Sequence, residues 1–510
     1  MINLKCSRSF VYLLPVGLMI VFLGVLRGGE IESIESRLNI PDYSYAGYHR
    51  SEVAIPHVDG PIFDITEFGA IADDEKSDRS AIQKAINAAA KAGGGVVFVP
   101  QGRFDLGQKS NADSLYIEHS NIVLRGTGSG PGGSMLYMSE ALAPPPPMKL
   151  WASPYAIQVS GAKTAIDLGP IAKPAARGDW EVELTKAPAI KVGDWIALTI
   201  RDNNPELVKT ELSGFEVQDP RWTSIIDEGV TVTERHQVAA VEGNRIRLTA
   251  PVIKPIDVQY NWRVVKHEPL EEIGFENIRF EGAWNERFIH HLNWFHDGGY
   301  SMLSMTRVVN SWVRDCVFAN LNCVGAIDDS AQISVLDSII EGNPGHSAIR
   351  FSDSTSCLMA NVEDRAGQWH SVGISRESIG NVLYSCFWGS KTSFESHSSQ
   401  PRHTLFDSCI GGFLKGHGGG ASKNLPTHVE GLILWNHLKT NEALSDFRFE
   451  PLDELYWRIP QPMIIGMHGS PISFREGQST VISLGKPIAE GSLYEFQVKR
   501  RLGQMPVDLR

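Results

Sequence analysis

Between Ser311 and about His437 the chain repeats itself, and this repetition restricts the fold more than any other feature. Five short apolar segments superimpose at Cys316 (SWVRDCVFAN), Ser338 (QISVLDSIIEG), Asn361 (SCLMANVEDRA), Cys386 (NVLYSCFWGS) and Cys409 (TLFDSCIGGF), at separations of 22, 23, 25 and 23 residues. A period of this size, carried by strand-like runs and broken by Gly, Asn and Ser, is that of a stacked solenoid. A leucine-rich repeat would need recurring Leu and Asn positions with a helical stretch, and neither recurs. The runs are rich in Val, Ile, Phe and Cys with polar residues alternating, as in strands whose inward side chains stack from coil to coil. The expected fold is all-β, a right-handed parallel β-helix.

A second strand follows each segment: Gly325 to Asp328, Ala348 to Phe351, Val372 to Ser375 and Ser393 to Ser396. With Ile327, Ile349, Ile374 and Phe394 inward, alternation turns Asp328, Arg350, Ser375 and Glu395 outward. The result is a polar ladder on one outer face, suited to an extended polymer.

The 510 residues carry a formal net charge of −12 and no Lys/Arg-rich tract, which argues against a nucleic-acid partner. Residues 1–30 combine a basic start with a 16-residue apolar run. They read as a secretory signal, or as a membrane anchor if retained, and the expected location is secreted, periplasmic or cell-surface. Cys316, Cys323, Cys357, Cys386 and Cys409 all fall in the repeats, and we expect small buried hydrophobes rather than a disulfide framework. No CxxC or HExxH supports a zinc site.

In the segment from Gly60 to Gly107, Ser77 or Asp78 can cap a helix with Ile82, Ala85, Ile86 and Ala89 on one face. Gly93 to Gly95 end it and a VVFVP strand follows, so the helix would cover the open end of the solenoid. The segment resembles the N-terminal motif of the pectate lyase superfamily at Phe68, Gly69, Ala70, Asp73, Asp78, Ala81, Ile82, Gln83, Ala85, Ile86, Val97, Pro100 and Gly102. Ala72, Asp74, Lys76 and Ser77 depart from that motif, and Phe104 replaces its tyrosine. The resemblance implies the β-helix and leaves the chemistry open, because lyases, hydrolases, epimerases and tailspikes share it. Asp73 and Asp78 read as loop and cap residues.

Residues 55–140 are assigned to the cap and first coils, 175–268 to an inserted antiparallel β-domain with turns at Gly193 and Gly243, 269–440 to the main coils, and 441–510 to a tail and cap. Trp195, Arg221 and Trp222 of the insert are candidates to wall a groove. Between Asn285 and Leu303, His290, His291 and His296 sit among Trp294, Phe295 and Tyr300, a mixture that suits sugar rings.

From His346 to His437, His and Arg residues recur beside the strands, and adjacent coils only ~4.8 Å apart bring them together. β-Elimination from a uronate needs a base at C5, a cation facing the carboxylate and an acid for the leaving oxygen. His370 or His397 is the expected base, Arg376 and Arg402 the expected clamps, and His403 or His417 would assist. His291, His296, Trp294, Arg350, Glu395, Lys415 and His417 are expected to face the substrate, an acidic polysaccharide. Glycoside hydrolysis would instead need two carboxyls ~5 to 9.5 Å apart, for which Asp328, Asp329, Asp353, Glu377 and Glu395 are candidates. Asp328-Asp329 followed by Gly345-His346 resembles part of the polygalacturonase signature, but Ser347 stands in place of its second glycine and no Arg-x-Lys follows. A solenoid that only binds glycans is a third reading. No cofactor is assigned, and calcium is left open, although no acidic cluster like that of the calcium-dependent pectate lyases is visible.

Overall fold

A computed structural model describes residues 29–107, 114–213, 224–414, 419–451 and 458–509. The chain winds into a parallel β-helix with three sheets, and one coil shows the pattern. Val308–Arg314 lies in sheet 1, Val317–Ala319 in sheet 2 and Cys323–Asp328 in sheet 3, after which Ala331–Leu336 returns to sheet 1 beside Val308–Arg314. Sheet 1 extends from Ile62–Asp64 to Thr480–Ile482, sheet 2 from Gly102–Asp105 to His468–Gly469, and sheet 3 from Leu115–Ile117 to Glu395–Ser396.

The corner between sheets 1 and 2 explains the repeats. Asp315, Asp337, Asn361, Ser385, Ser408 and Asn436 hold left-handed φ between 47° and 55°, a conformation that short polar side chains tolerate. Each bends the strand, so one apolar segment of the sequence is in fact two strands. The residue after each bend turns inward. Register places Val317 beside Ile339, and then Glu363, Phe387 and Ile410, in successive coils. The stack is therefore Cys316, Ser338, Val362, Cys386 and Cys409, with Val362 in the place expected for Asn361. All five cysteines of the repeats are buried and free, and the hydrocarbon-like thiols of Cys316, Cys386 and Cys409 fit that column.

The helix Arg79–Lys91 buries Ile82, Ala85, Ile86 and Ala89 at 0–2% exposure against the first coils. Withdrawing such a face from water is worth about 1.5–3 kcal/mol per large side chain. Asp78 occupies the N-cap position but turns its carboxylate to the amides of Ile71 and Asp105, both at 2.9 Å. It ties the cap to the first coil, and Asp73 likewise accepts from Arg103 N.

Two turns between sheets are elaborated into walls. Residues 165–267 form a six-stranded antiparallel sheet, starting earlier than the expected boundary at 175, between a strand of sheet 3 (Ile157–Ser160) and one of sheet 1 (Gly274–Glu276). The insert folds back onto the same turn of later coils: Arg235 meets Asp329 and Asp353, and Thr233 Oγ1 donates to Glu377 at 2.6 Å. The second turn, 283–300, joins sheet 2 to sheet 3 and leans the same way, with Trp284 Nε1 donating to Pro344 O and Asn343 Nδ2 to Glu286 O. The outer face of sheet 3 is thus the floor of a trough bounded by these two turns.

The termini differ from expectation. Ile31, Ile34, Tyr43 and Tyr48 pack with Leu493, Tyr494 and Val498 of the helix Leu493–Leu502 over the outer face of sheet 1, on Trp312, Leu358, Val382, Leu405 and Trp435. They cover a side of the solenoid, not its far end. The apolar run expected as a signal or anchor lies outside the described residues, and no described helix is long and apolar enough to cross a membrane.

Candidate active site

On the floor, outward side chains form two rows. One runs Ala326, Arg350, Gly373, Glu395, and the other Asp328, Ser352, Ser375. The inward partners Ile327, Ile349, Ile374 and Phe394 are all core residues. Their register differs from a simple overlay, since Ile327 pairs with Phe351 and Ile349 with Gly325. A slip of two residues keeps each side chain on its face, so Arg350 remains outward but shares its row with Glu395, not with Asp328. Gly373 offers no side chain between Arg350 and Glu395, and the next coil packs so closely on it that a Cβ there would lie 2.0 Å from Glu395 O.

Glu395 organises this part of the floor. Its Oε2 accepts from His370 Nδ1 at 2.8 Å, and its Oε1 from His397 Nδ1 at 2.6 Å and Gly419 N at 2.9 Å. Burial alone would raise the carboxyl, but the His370 and His397 contacts outweigh it and hold Glu395 well below the usual carboxylate range. With Nδ1 engaged, each ring presents Nε2. His397 is lowered by burial against the opposing pull of Glu395. Both His370 and Glu395 are buried, whereas the His397 side chain is 27% exposed.

The wall residues extend this pair into a cluster. Ring centroids lie 5.2 Å apart for His346 and His370, 5.3 Å for His290 and His346, and 5.4 Å for His290 and His370. His291 stacks on His290 at 3.7 Å, and Trp369, 40% exposed, stacks on the His290 ring at 5.0 Å. His346 Nδ1 donates to the Asp297 carbonyl at 2.8 Å. Burial and the neighbouring imidazoles push His290 down to about 4 and His346 well below its ordinary value. Arg350 makes no ion pair among the described residues, its Nε is buried without a hydrogen bond, and its charge is felt at His346, His397 and Tyr155.

The fold therefore gathers His370, His397, Arg350, Glu395 and His291 from the expected set, together with His290 and His346. Arg376 lies at the edge of sheet 3 toward the insert, 61% exposed and paired with Asp328 at 3.3 Å. Trp294 packs edge-on against Phe295, and His296 is 4% exposed, accepting from Ile289 N and facing Glu286. His296 thus secures the wall from within, buried between Ile289 and Glu286. Arg402 and His403 are corrections of place. Arg402, with no exposed side chain, donates to Thr231 O and meets Glu211, while His403 lies buried between Arg177 and Glu430. Both belong to the seam between coil and insert. His428 is buried against Thr404. Lys415, His417, Arg221 and Trp222 lie outside the described residues. Trp195 is buried against Val309 and Ala331. Sequence reasoning passed over Tyr155 and Asp297, which carry no local signal because their partners are coils away.

These features define a parallel β-helix with an imidazole-rich site in a walled trough. Residues 62–134 match the family model described as rhamnogalacturonase A/epimerase, pectate lyase-like, so the first coils carry a pectate lyase-like domain. Residues 367–510, which include His370, Glu395 and His397, match a domain of unknown function, DUF4955. The chain is similar to alginate lyase 7 of Azotobacter vinelandii, 41% identical over 69 residues, 13% of this chain and 8% of that protein. Mannuronan C5-epimerase AlgE3 of the same organism is 39% identical over 69 residues, 13% of this chain and 4% of that one. The chain thus spans less than a tenth of these relatives. Among solved structures, the tailspike gp61 of Pseudomonas phage phi297 is 11% identical with a TM-score of 0.47, covering 83% of this chain and 72% of that one.

Proposed function

We propose that the protein is an extracytoplasmic or cell-surface enzyme that cleaves a uronate-containing polysaccharide by β-elimination in the trough. The observation that carries this reading is the use of both Glu395 oxygens to orient imidazoles, which leaves ring nitrogens as the reactive groups. Elimination breaks the C5–H bond and the C4–O bond and forms the C4–C5 double bond. His397 Nε2 takes the C5 proton, Arg350 faces the uronate carboxylate and withdraws its charge, and the Tyr155 hydroxyl supplies the proton to the leaving oxygen. Trp369 offers a ring face on which a sugar stacks. The names of the short-range relatives, an alginate lyase and mannuronan epimerases, support a uronate as the substrate class.

Hydrolysis by paired carboxyls is disfavoured because the candidates are already bound. Glu395 holds two imidazoles, Asp329 and Asp353 share Arg235, Glu377 accepts from Thr233, and Asp328 pairs with Arg376.

Incubation with a panel of uronate polysaccharides, following ultraviolet absorbance and reducing ends together, tests the reading. Both signals should rise. In His397→Ala, turnover should fall by about 10²-fold or more, the range for loss of a positioned base. Reducing ends without absorbance would replace elimination by hydrolysis, and wild-type turnover in His397→Ala would remove that residue as base.

A further inference from the structure

We propose that His290, His346 and His370 bind a divalent transition metal ion of the zinc type in the trough, with the Asp297 carbonyl and Glu395 orienting two of the rings. The three imidazoles form a nearly equilateral triangle, with centroids 5.2, 5.3 and 5.4 Å apart and interplanar angles of 57°, 53° and 74°. Tilted rings can converge on one ion, which parallel stacked rings cannot. An ion about 2.1 Å from each nitrogen in a tetrahedral array keeps such centroids about 5 Å apart.

Three further observations point the same way. His346 donates its Nδ1 to a backbone carbonyl and His370 its Nδ1 to a carboxylate. These are the outer partners that fix the tautomer and raise the basicity of metal-bound imidazoles. His290 Nε2 is buried and has no hydrogen-bond partner among the described residues. Ring nitrogens of His290 and His346 lie within 4.8 Å of each other in a group that includes His291, and His370 belongs to an adjoining group with Glu395 and His397. His291 itself is stacked nearly parallel on His290, at 25°, and cannot aim at the same ion without turning. His397 touches the triangle only through His370, at 5.0 Å, and remains available as base.

Neutral imidazoles select zinc, copper, nickel or cobalt, whereas calcium takes carboxylate and carbonyl oxygens. The proposal therefore excludes calcium from this position. Three histidines leave one coordination position toward the trough, where the ion would face a substrate oxygen as a Lewis acid. That role rests on the polysaccharide reading, whereas metal binding stands on the imidazole geometry alone.

The test uses the full chain, stripped with a chelator and titrated with Co²⁺ while visible absorption is recorded, then challenged with Zn²⁺ and Ca²⁺. One equivalent of Co²⁺ should give a saturable d–d band that Zn²⁺ abolishes and Ca²⁺ leaves unchanged. His346→Ala and His290→Ala, each checked for fold by circular dichroism, should weaken Co²⁺ binding about ten-fold or more, and Glu395→Gln by about ten- to hundred-fold. No band in folded wild-type protein, displacement by Ca²⁺ or unaltered affinity in both folded alanine variants would each overturn the site. Because no polysaccharide enters the assay, failure of the substrate reading leaves this result untouched.

Discussion

At the scale of single residues, one carboxylate has the most influence. Glu395 reaches two imidazoles because its own strand is two residues long, Glu395–Ser396, and His397 follows it at once, while His370 stands on the preceding coil. Gly419 comes so close that a Cβ there would lie 2.1 Å from the His397 ring. Glu395→Gln keeps the shape but can accept from only one Nδ1, because the amide NH₂ donates. The other imidazole then loses its tautomer and orientation. We expect kcat to fall about 10- to 100-fold with KM and thermal stability little changed, as for loss of an orienting partner. A matching rise in KM would assign Glu395 to substrate binding, and a collapsed melting temperature would assign it to the fold.

At the scale of elements, the sequence makes the strands legible and hides the corners. Val, Ile, Phe and Cys with polar alternation announce the coils, and the Arg79–Lys91 helix announces itself by its apolar face and glycine stop. The bends are harder to see because Asp, Asn and Ser, not Gly, take the left-handed conformation there, and in the sequence they look like ordinary alternation. Hence the slip between Asn361 and Val362, and two strands read where the coil has three. The candidate site was half visible. His370, His397, Arg350 and Glu395 follow from coil spacing, but nothing local tells that residues 165–267 return to later coils and enclose Arg402 and His403. That return depends on Arg235, whose side chain is 6% exposed and held between Asp329 and Asp353. Burial pushes Asp353 up to about 7 even beside this guanidinium. Arg235→Ala leaves Asp353 without its guanidinium and Asp329 with only Arg307, 3.7 Å away, and breaking such a buried pair costs about 3–5 kcal/mol. Chemical denaturation should show a loss of that order. A loss below about 1 kcal/mol would mean that the insert is docked by its other contacts.

At the scale of the whole molecule, the solenoid is closed along one side by its own ends. Tyr43 N donates to Gln497 Oε1, Gln497 Nε2 to Glu35, and Arg501 to Ser44, so residues near both ends lock together over sheet 1. The latch is fastened to the coils by Asp407, whose Oδ2 accepts from Tyr494 N at 2.7 Å and Ser492 Oγ at 2.8 Å, while Oδ1 meets Ser408 Oγ at 2.9 Å. Burial pushes this carboxyl up to about 7, against ~3.9 for an unfolded aspartate. The folded state therefore keeps a proton that the unfolded chain releases, and its extra stability is fully present below about pH 4. It is lost progressively as pH rises to about 7, and above that Asp407 adds no further slope. The rise corresponds to at most about 4 kcal/mol, at ~1.4 kcal/mol for each ten-fold change in proton affinity. Asp407→Asn provides a neutral isostere whose oxygen can still accept from Tyr494 and Ser492 and whose amide can donate to Ser408. The variant should match wild type near pH 4 and exceed its melting temperature at pH 8. Parallel pH profiles in the two proteins would show that Asp407 is ionised in the fold and that another group sets the slope.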